Sequence, residues 1–260
     1  MTHVGISYWK TGGDQTKQRV FRSLADSVTV TLLDPTTDHT DLDTCGFDFY
    51  HLAKRRDASL RDLHRAAHAG IPTLNPPFSV ALTSDRVATL DVLSQGGVPV
   101  PTYQYGPASE VTLPPPVIVK TLHETDAAAH DHDVFFEESP TFAGTRLIQQ
   151  YLPKARHLKV YRVGSAIRVV ELGTGRGVVA RELNATAPLI ALTDRIAALT
   201  GLSLFEVDVL DGPVPMVVDV NPVVSLNGVA DAERVYLAFL LSQLRRVVPQ
   251  SEAQAAVSLD

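Results

Sequence analysis

Three oxygen-bearing side chains, Asp208, Asp219 and Asn221, stand in one apolar stretch, LFEVDVLDGPVPMVVDVNPVVSLN, at residues 204–227. Gly212, Pro213 and Pro215 punctuate that stretch as the turn of a hairpin. Pairing Leu210 with Val217 places Asp208 directly across from Asp219, with Asn221 two residues further along the same face. Val207, Val209, Val218 and Val220 then point the other way. Two carboxylates side by side in an apolar hairpin repel, and an unpaired buried charge is costly, so a counter-ion is expected. Mg²⁺, or Mn²⁺ in its place, suits the three residues as metal ligands, because such a hard ion takes oxygen donors and is commonly held by one or two carboxylates together with substrate phosphates. The alternative is an exposed hairpin face carrying solvated acids.

The elements around this hairpin divide the chain. Short strands at residues 3–9, 28–33 and 47–52 alternate with helices at 15–25 and 59–68, the pattern of a small parallel α/β unit. Leu74-Asn75-Pro76-Pro77 interrupts it, since a proline pair continues neither a helix nor a central strand. Ser84-Asp85 then caps a helix that runs to Gln95 and stops at Gly96-Gly97. Short strands and loops follow to Tyr151, and beyond Leu158 the order is strand, strand, helix (187–199), hairpin and a closing helix (230–247). The expected domains are therefore a small α/β domain at 1–78, a small α+β subdomain with its linking helix at 79–152, and a larger subdomain at 153–260.

Composition narrows the partners. With 45% hydrophobic and 20% charged residues, the chain reads as globular, and its net charge of −6 argues against a nucleic acid or an anionic membrane as partner. No apolar run approaches the roughly 18 residues that span a bilayer, and the N-terminus lacks a signal pattern. Cys45 stands alone, which excludes a disulfide framework and suits a reducing cytoplasm, the expected location.

Five segments in a fixed order carry a resemblance. They are Asp85-Arg86 opening a helix before Gly97-Val98-Pro99, then Val117-Ile118-Val119-Lys120, then Leu147 to Leu152, then His157 to Gly164, then the Asp208 and Asp219-Val220-Asn221 hairpin. Over about residues 70–230 the chain resembles the ATP-grasp superfamily, most nearly its RimK-like carboxylate-amine ligases, and it is also similar to the inositol trisphosphate kinase branch. The resemblance implies an N-terminal α/β domain followed by a two-subdomain fold that clamps ATP, with Mg²⁺ bridging the phosphates at Asp208, Asp219 and Asn221. It implies that Lys120 and Arg86 contact phosphates, which suits a lysine emerging from a buried strand and an arginine at a helix start. It implies that the segment Gln149, Gln150, Tyr151 and Leu152 meets the adenine, chiefly through backbone groups. Among the cations Lys159, Arg162, Arg168, Arg176 and Arg181, it matches Lys159 and Arg181 to acceptor or transferred-phosphoryl contacts.

Two chemistries stay open. One joins a small-molecule carboxylate to an amine through an acyl phosphate. The other phosphorylates a hydroxyl. Residues 121–130 contain no glycine, so the glycine-rich phosphate loop of many ATP-grasp enzymes is missing, while His130 falls where the inositol kinases carry a loop histidine. A binding module without catalysis is disfavoured by the retained Asp-Asp-Asn set. The resemblance is compatible with a homodimer.

Other candidates carry less. His64 and His68 are spaced i, i+4 but lack the glutamate of a zinc-protease motif, and Ser203 and Ser225 have no placed histidine and acid. Gly173-x-Gly175-x-Gly177 lacks the strand, helix and downstream acid of a dinucleotide site. Lys54-Arg55-Arg56 reads as a solvated loop that could help receive an anionic substrate.

Overall fold

The computed structural model describes residues 1–123, 132–173 and 179–247. Residues 1–77 with 230–247 form one compact unit, and Phe78–Val229 form a second.

In the first unit, β1 (His3–Ser7), β2 (Thr29–Leu33), β3 (Phe49–Leu52) and β4 (Thr73–Leu74) make a parallel sheet in the order β2-β1-β3-β4. Helices α1 (Gln15–Ala25) and α2 (Asp57–His68) connect them, and α1 starts where the Asp14 carboxylate accepts from Lys17 N. Val4, Ile6, Phe49, Tyr50 and Leu52 are all buried, as in a central parallel sheet covered on both faces. The strand expected to reach Trp9 ends at Ser7, because the Tyr8 hydroxyl turns back to accept from Asp14 N at 2.5 Å.

The closing helix, Ala232–Val247, also belongs to this unit and not with residues 153–229. Its buried stripe of Val235, Tyr236, Phe239 and Leu240 needs an apolar partner face, and α1 supplies one. Phe21, His51 and Tyr236 meet edge to face, and the Tyr236 hydroxyl lies 2.5 Å from His51 Nε2. Periodicity shows that a helix has an apolar stripe; it does not show which layer the stripe covers.

The second unit opens with α3 (Pro77–Ser84) and α4 (Arg86–Gln95). The second proline of the breaker thus begins a helix, where its missing N–H costs nothing. Strands β5 (Tyr103–Gly106), β6 (Val117–Lys120), β7 (His132–Phe135) and β8 (Arg146–Gln150) form an antiparallel sheet ordered β5-β8-β6-β7 around Val117, Val119 and Ile148. Strands β9 (Arg156–Val163), β10 (Ala166–Leu172), β11 (Val179–Leu183), β12 (Leu204–Asp211) and β13 (Met216–Asn221) form a second, ordered β11-β10-β9-β12-β13.

Helix α5 (Ala187–Thr200) covers one face of that larger sheet, where Ile196 packs in a core with Val160, Val207, Val209 and Val217. Side-chain alternation sends the intervening Lys159, Glu206 and Asp208 to the opposite face. The α5 C-terminus closes on Gly201 at φ 72°, a left-handed position favouring glycine, where a Cβ would also approach Ser79 Oγ at 3.0 Å.

Candidate functional site

A cleft of about 330 Å³ lies between the two sheets of the second unit. Ile118, Val134, Leu172 and Leu210 give it apolar walls, and Arg86, Lys120, Gln149, Asp208 and Asp219 give it polar ones.

The hairpin sets the acidic end. Strands β12 and β13 pair Glu206 with Asn221, Val207 with Val220 and Asp208 with Asp219, so the two aspartates stand opposite each other. The register then shifts, with Val209 facing Val217 and Leu210 facing Met216. The expected Leu210–Val217 pairing is therefore replaced by a bulge that absorbs Val218. Val217 takes the core side beside Val209, while Val218 lines the cleft and its carbonyl accepts from Lys120 Nζ at 3.3 Å.

Each carboxylate is half engaged. The Asp208 side chain is 38% exposed, yet its Oδ1 is buried without a hydrogen bond, so the other oxygen is the one open to the cleft. Lys159 Nζ forms an ion pair with that buried Oδ1 at 3.0 Å and donates to Glu206 Oε1 at 2.9 Å. Burial holds the Asp208 carboxyl above its ordinary range; Lys159 opposes this, and Glu206 and Asp219 add to it. Asp219 Oδ1 accepts from Val220 N at 3.0 Å, and its Oδ2 lies 3.6 Å from Arg86 Nε. Asn221 Oδ1 accepts from Val223 N at 2.9 Å, which leaves its second lone pair.

Among the described residues, no three His, Cys, Asp or Glu side chains converge on a metal position. Two facing carboxylates on an open cleft, with an amide oxygen one step along, instead fit a Mg²⁺ that completes its shell with phosphate oxygens and water.

The cationic end comes from the smaller sheet and α4. Asp85 caps α4 by accepting from Ala88 N, and this places Arg86 at the helix start. Arg86 Nη1 donates to Thr121 O and Oγ1, both at 2.9 Å, while its buried Nε has no hydrogen bond. Lys120 ends β6; burial pushes its ammonium below the ordinary lysine value, opposed by Asp219 and reinforced by Arg86. Gln149 is 1% exposed, and neither end of its side-chain amide has a partner. Among the described residues, every buried side-chain nitrogen or oxygen without a hydrogen bond thus belongs to a residue lining this one cleft.

The cleft gathers Arg86, Lys120, Gln149, Gln150, Tyr151, Asp208 and Asp219. Gln150 N and Tyr151 N are committed to Thr102 O and Pro116 O at 2.8 and 2.9 Å, and Leu152 does not line the cleft. Lys159 reaches the site through Asp208. Arg181 does not line it: the β10–β11 register sets it opposite Glu171, with which it pairs at 2.7 Å on the surface. Arg162 pairs with Asp194. His130 and Arg176 lie outside the described residues. His64 and His68 are solvated, as expected. In the first unit, Lys54 and Arg56 flank the Trp9 ring at 5.3 and 5.6 Å.

Three residues of the site escaped sequence reasoning. His132 and His157 line the cleft, and Glu206 sits behind Asp208. Glu206 had a readable signal, since it precedes Asp208 by two on the same strand and so shares its face.

No family model matches the chain, and no curated protein is significantly similar to it in sequence. Solved structures resemble it in fold. A RimK-domain ATP-grasp protein from Sphaerobacter thermophilus superposes with a TM-score of 0.73 at 18% identity, covering 92% of this chain and 100% of that one. D-alanine–D-alanine ligase from Bacillus anthracis gives 0.73 at 12% identity, covering 95% and 97%. The ATP-grasp ligase PsnB, complexed with a phosphomimetic variant of its minimal precursor, Mg and ADP, gives 0.67 at 16% identity, covering 94% and 99%.

Proposed function

From the ATP-grasp fold of this chain we propose an ATP- and Mg²⁺-dependent carboxylate-amine ligase. The observation that carries the reading is the convergence of the unsatisfied buried polar atoms of Arg86, Gln149 and Asp208 on a cleft with apolar walls, a lysine at one end and paired carboxylates beside it. Such a cleft suits a nucleotide triphosphate: a flat apolar base, a polar amide to read its edge, cations for its phosphates, and carboxylates for its metal. The named neighbours D-alanine–D-alanine ligase and PsnB are ligases, which supports ligase chemistry on this fold.

In this reading Ile118, Val134, Leu172 and Leu210 cover the faces of the adenine, and Gln149 meets its edge through both ends of the amide. Lys120 and Arg86 bind phosphate oxygens. Asp208, Asp219 and Asn221 would hold Mg²⁺, which when bound would supply charge neutralisation for the transferring group. Lys159, next to Asp208, would offset negative charge on the γ-phosphoryl group. A carboxylate oxygen attacks the γ-phosphorus, the bond to the β-phosphate oxygen breaks, and ADP leaves. The amine nitrogen then attacks the carbonyl carbon of the acyl phosphate, inorganic phosphate departs, and the nitrogen loses its proton. Apolar walls keep water from the acyl phosphate.

The second reading, phosphorylation of a hydroxyl on a small molecule, is favoured by His132 and His157 lining the cleft. One experiment separates the two. The protein is incubated with Mg²⁺-ATP, pooled amino acids, peptides and polyols, and hydroxylamine, and products are read by mass spectrometry. The ligase gives a carboxylate-dependent hydroxamate with ADP. A stable product heavier by one phosphoryl group, without hydroxamate, would replace the ligase with the kinase.

A further inference from the structure

Glu206 is only 6% exposed, yet both its oxygens are occupied. Oε1 accepts from Lys159 Nζ at 2.9 Å, and Oε2 accepts from Ser225 N at 2.7 Å and Ser225 Oγ at 2.9 Å. Tyr161 braces the same serine, its hydroxyl 3.2 Å from Ser225 Oγ while donating to Asn227 O at 3.1 Å. Glu206 is thereby fixed by the segment that follows Asn221. Lys159 bridges two acids, at 2.9 Å from Glu206 Oε1 and 3.0 Å from Asp208 Oδ1.

The two ion pairs place the Lys159 ammonium against the carboxylate assigned to the metal. A lysine at 3.0 Å and a divalent ion on the same aspartate repel each other, unless the lysine has a second carboxylate to hold it. Resting on the metal site of the proposed function, we propose that Lys159 is the resident counter-cation of Asp208, and that Glu206 is the positioning residue that retains it when a metal arrives. The buried glutamate lets Lys159 withdraw from Asp208 while remaining in the site, still charged, beside the phosphates. Lys159 therefore competes with the metal for Asp208, and Glu206 weakens that competition.

The competition fixes opposite signs for two variants, which a purely structural role does not. Mn²⁺ binding is followed by electron paramagnetic resonance on the full chain, first alone and then with the non-hydrolysable analogue AMP-PNP. Without nucleotide, Lys159→Met should bind Mn²⁺ about tenfold tighter than wild type, because one competing charge is gone. Glu206→Gln should bind it about tenfold more weakly, because a negative charge is lost and Lys159 turns wholly to Asp208. Weakening in both Lys159→Met and Glu206→Gln, or no change in either, overturns the proposal while leaving the proposed function intact, provided wild type binds Mn²⁺ with AMP-PNP. Failure of wild type to bind Mn²⁺ even with AMP-PNP overturns both.

Discussion

Asp208 and Asp219 face each other across the β12–β13 ladder, one beside Lys159 and the other beside Arg86, so each carboxylate of the pair has a cation at its back and the cleft in front. Repulsion between the two acids is offset from behind, and both carboxylates front the cleft. Replacing Asp219 by Ala should lower ATP turnover by about a thousandfold, the equivalent of several kcal/mol of transition-state stabilisation. Folding should be preserved, because the Asp219 side chain is partly exposed and accepts only its neighbour's N–H. ADP release and a thermal melt, measured together, check both halves.

Gln149 offers a donor and an acceptor inside an otherwise dry wall of the cleft. Adenine has both complements on one edge. Gln149→Leu should weaken ATP binding by about tenfold, the worth of roughly one net hydrogen bond, and erase any preference for ATP over GTP. Calorimetric titration with both nucleotides decides this; an unchanged ATP preference would remove Gln149 from base reading.

Lys120 has its ammonium lowered by burial, and phosphate oxygens brought beside it would raise it again. Nucleotide binding should therefore take up protons at alkaline pH, between the lowered value and the ordinary 10.5, and take up none through Lys120 well below that window. Titration in buffers of different ionisation enthalpy measures the uptake. It should vanish in Lys120→Met.

How much of this was legible depended on whether a local rule settled the matter. The first helix was readable to the residue at both ends, since Asp14 caps it and its apolar positions recur at helical spacing. The facing aspartates were readable from alternation about a turn. The bulge at Val218 was not, because nothing in a run of valines says which of them the ladder leaves unpaired. Arg181 and Lys159 looked alike as basic strand residues; only the pairing of β10 with β11 turns the first to Glu171, and that of β9 with β12 turns the second to Asp208. The closing helix joined the N-terminal unit through Tyr236 and His51, a contact 185 residues apart that no window of sequence contains.

That contact has a consequence for acid stability. Burial lowers the His51 pKa to about 3; the hydrogen bond to Leu74 O opposes this and Lys17 adds to it. Between the unfolded value of 6.5 and about 3, the unfolded chain binds a proton that the folded one does not. Stability from this group is therefore complete above pH 6.5 and falls as pH falls through that window, by up to about 1.4 kcal/mol per pH unit. His51→Gln should flatten the slope between pH 6.5 and 5 in urea unfolding, whatever it costs at neutral pH. An unchanged slope would mean that His51 takes its proton within the fold.

The ligase assignment rests on transfer of phosphate to a carboxylate, and oxygen-18 follows that transfer atom by atom. The protein would be given Mg²⁺-ATP, an amine pool and the carboxylate found by hydroxylamine trapping, with both carboxyl oxygens labelled, and the released phosphate weighed by mass spectrometry. Passage through an acyl phosphate carries one labelled oxygen into each phosphate and leaves one in the amide. Unlabelled phosphate, or the label retained whole in a phosphorylated product, would contradict carboxylate activation by this cleft.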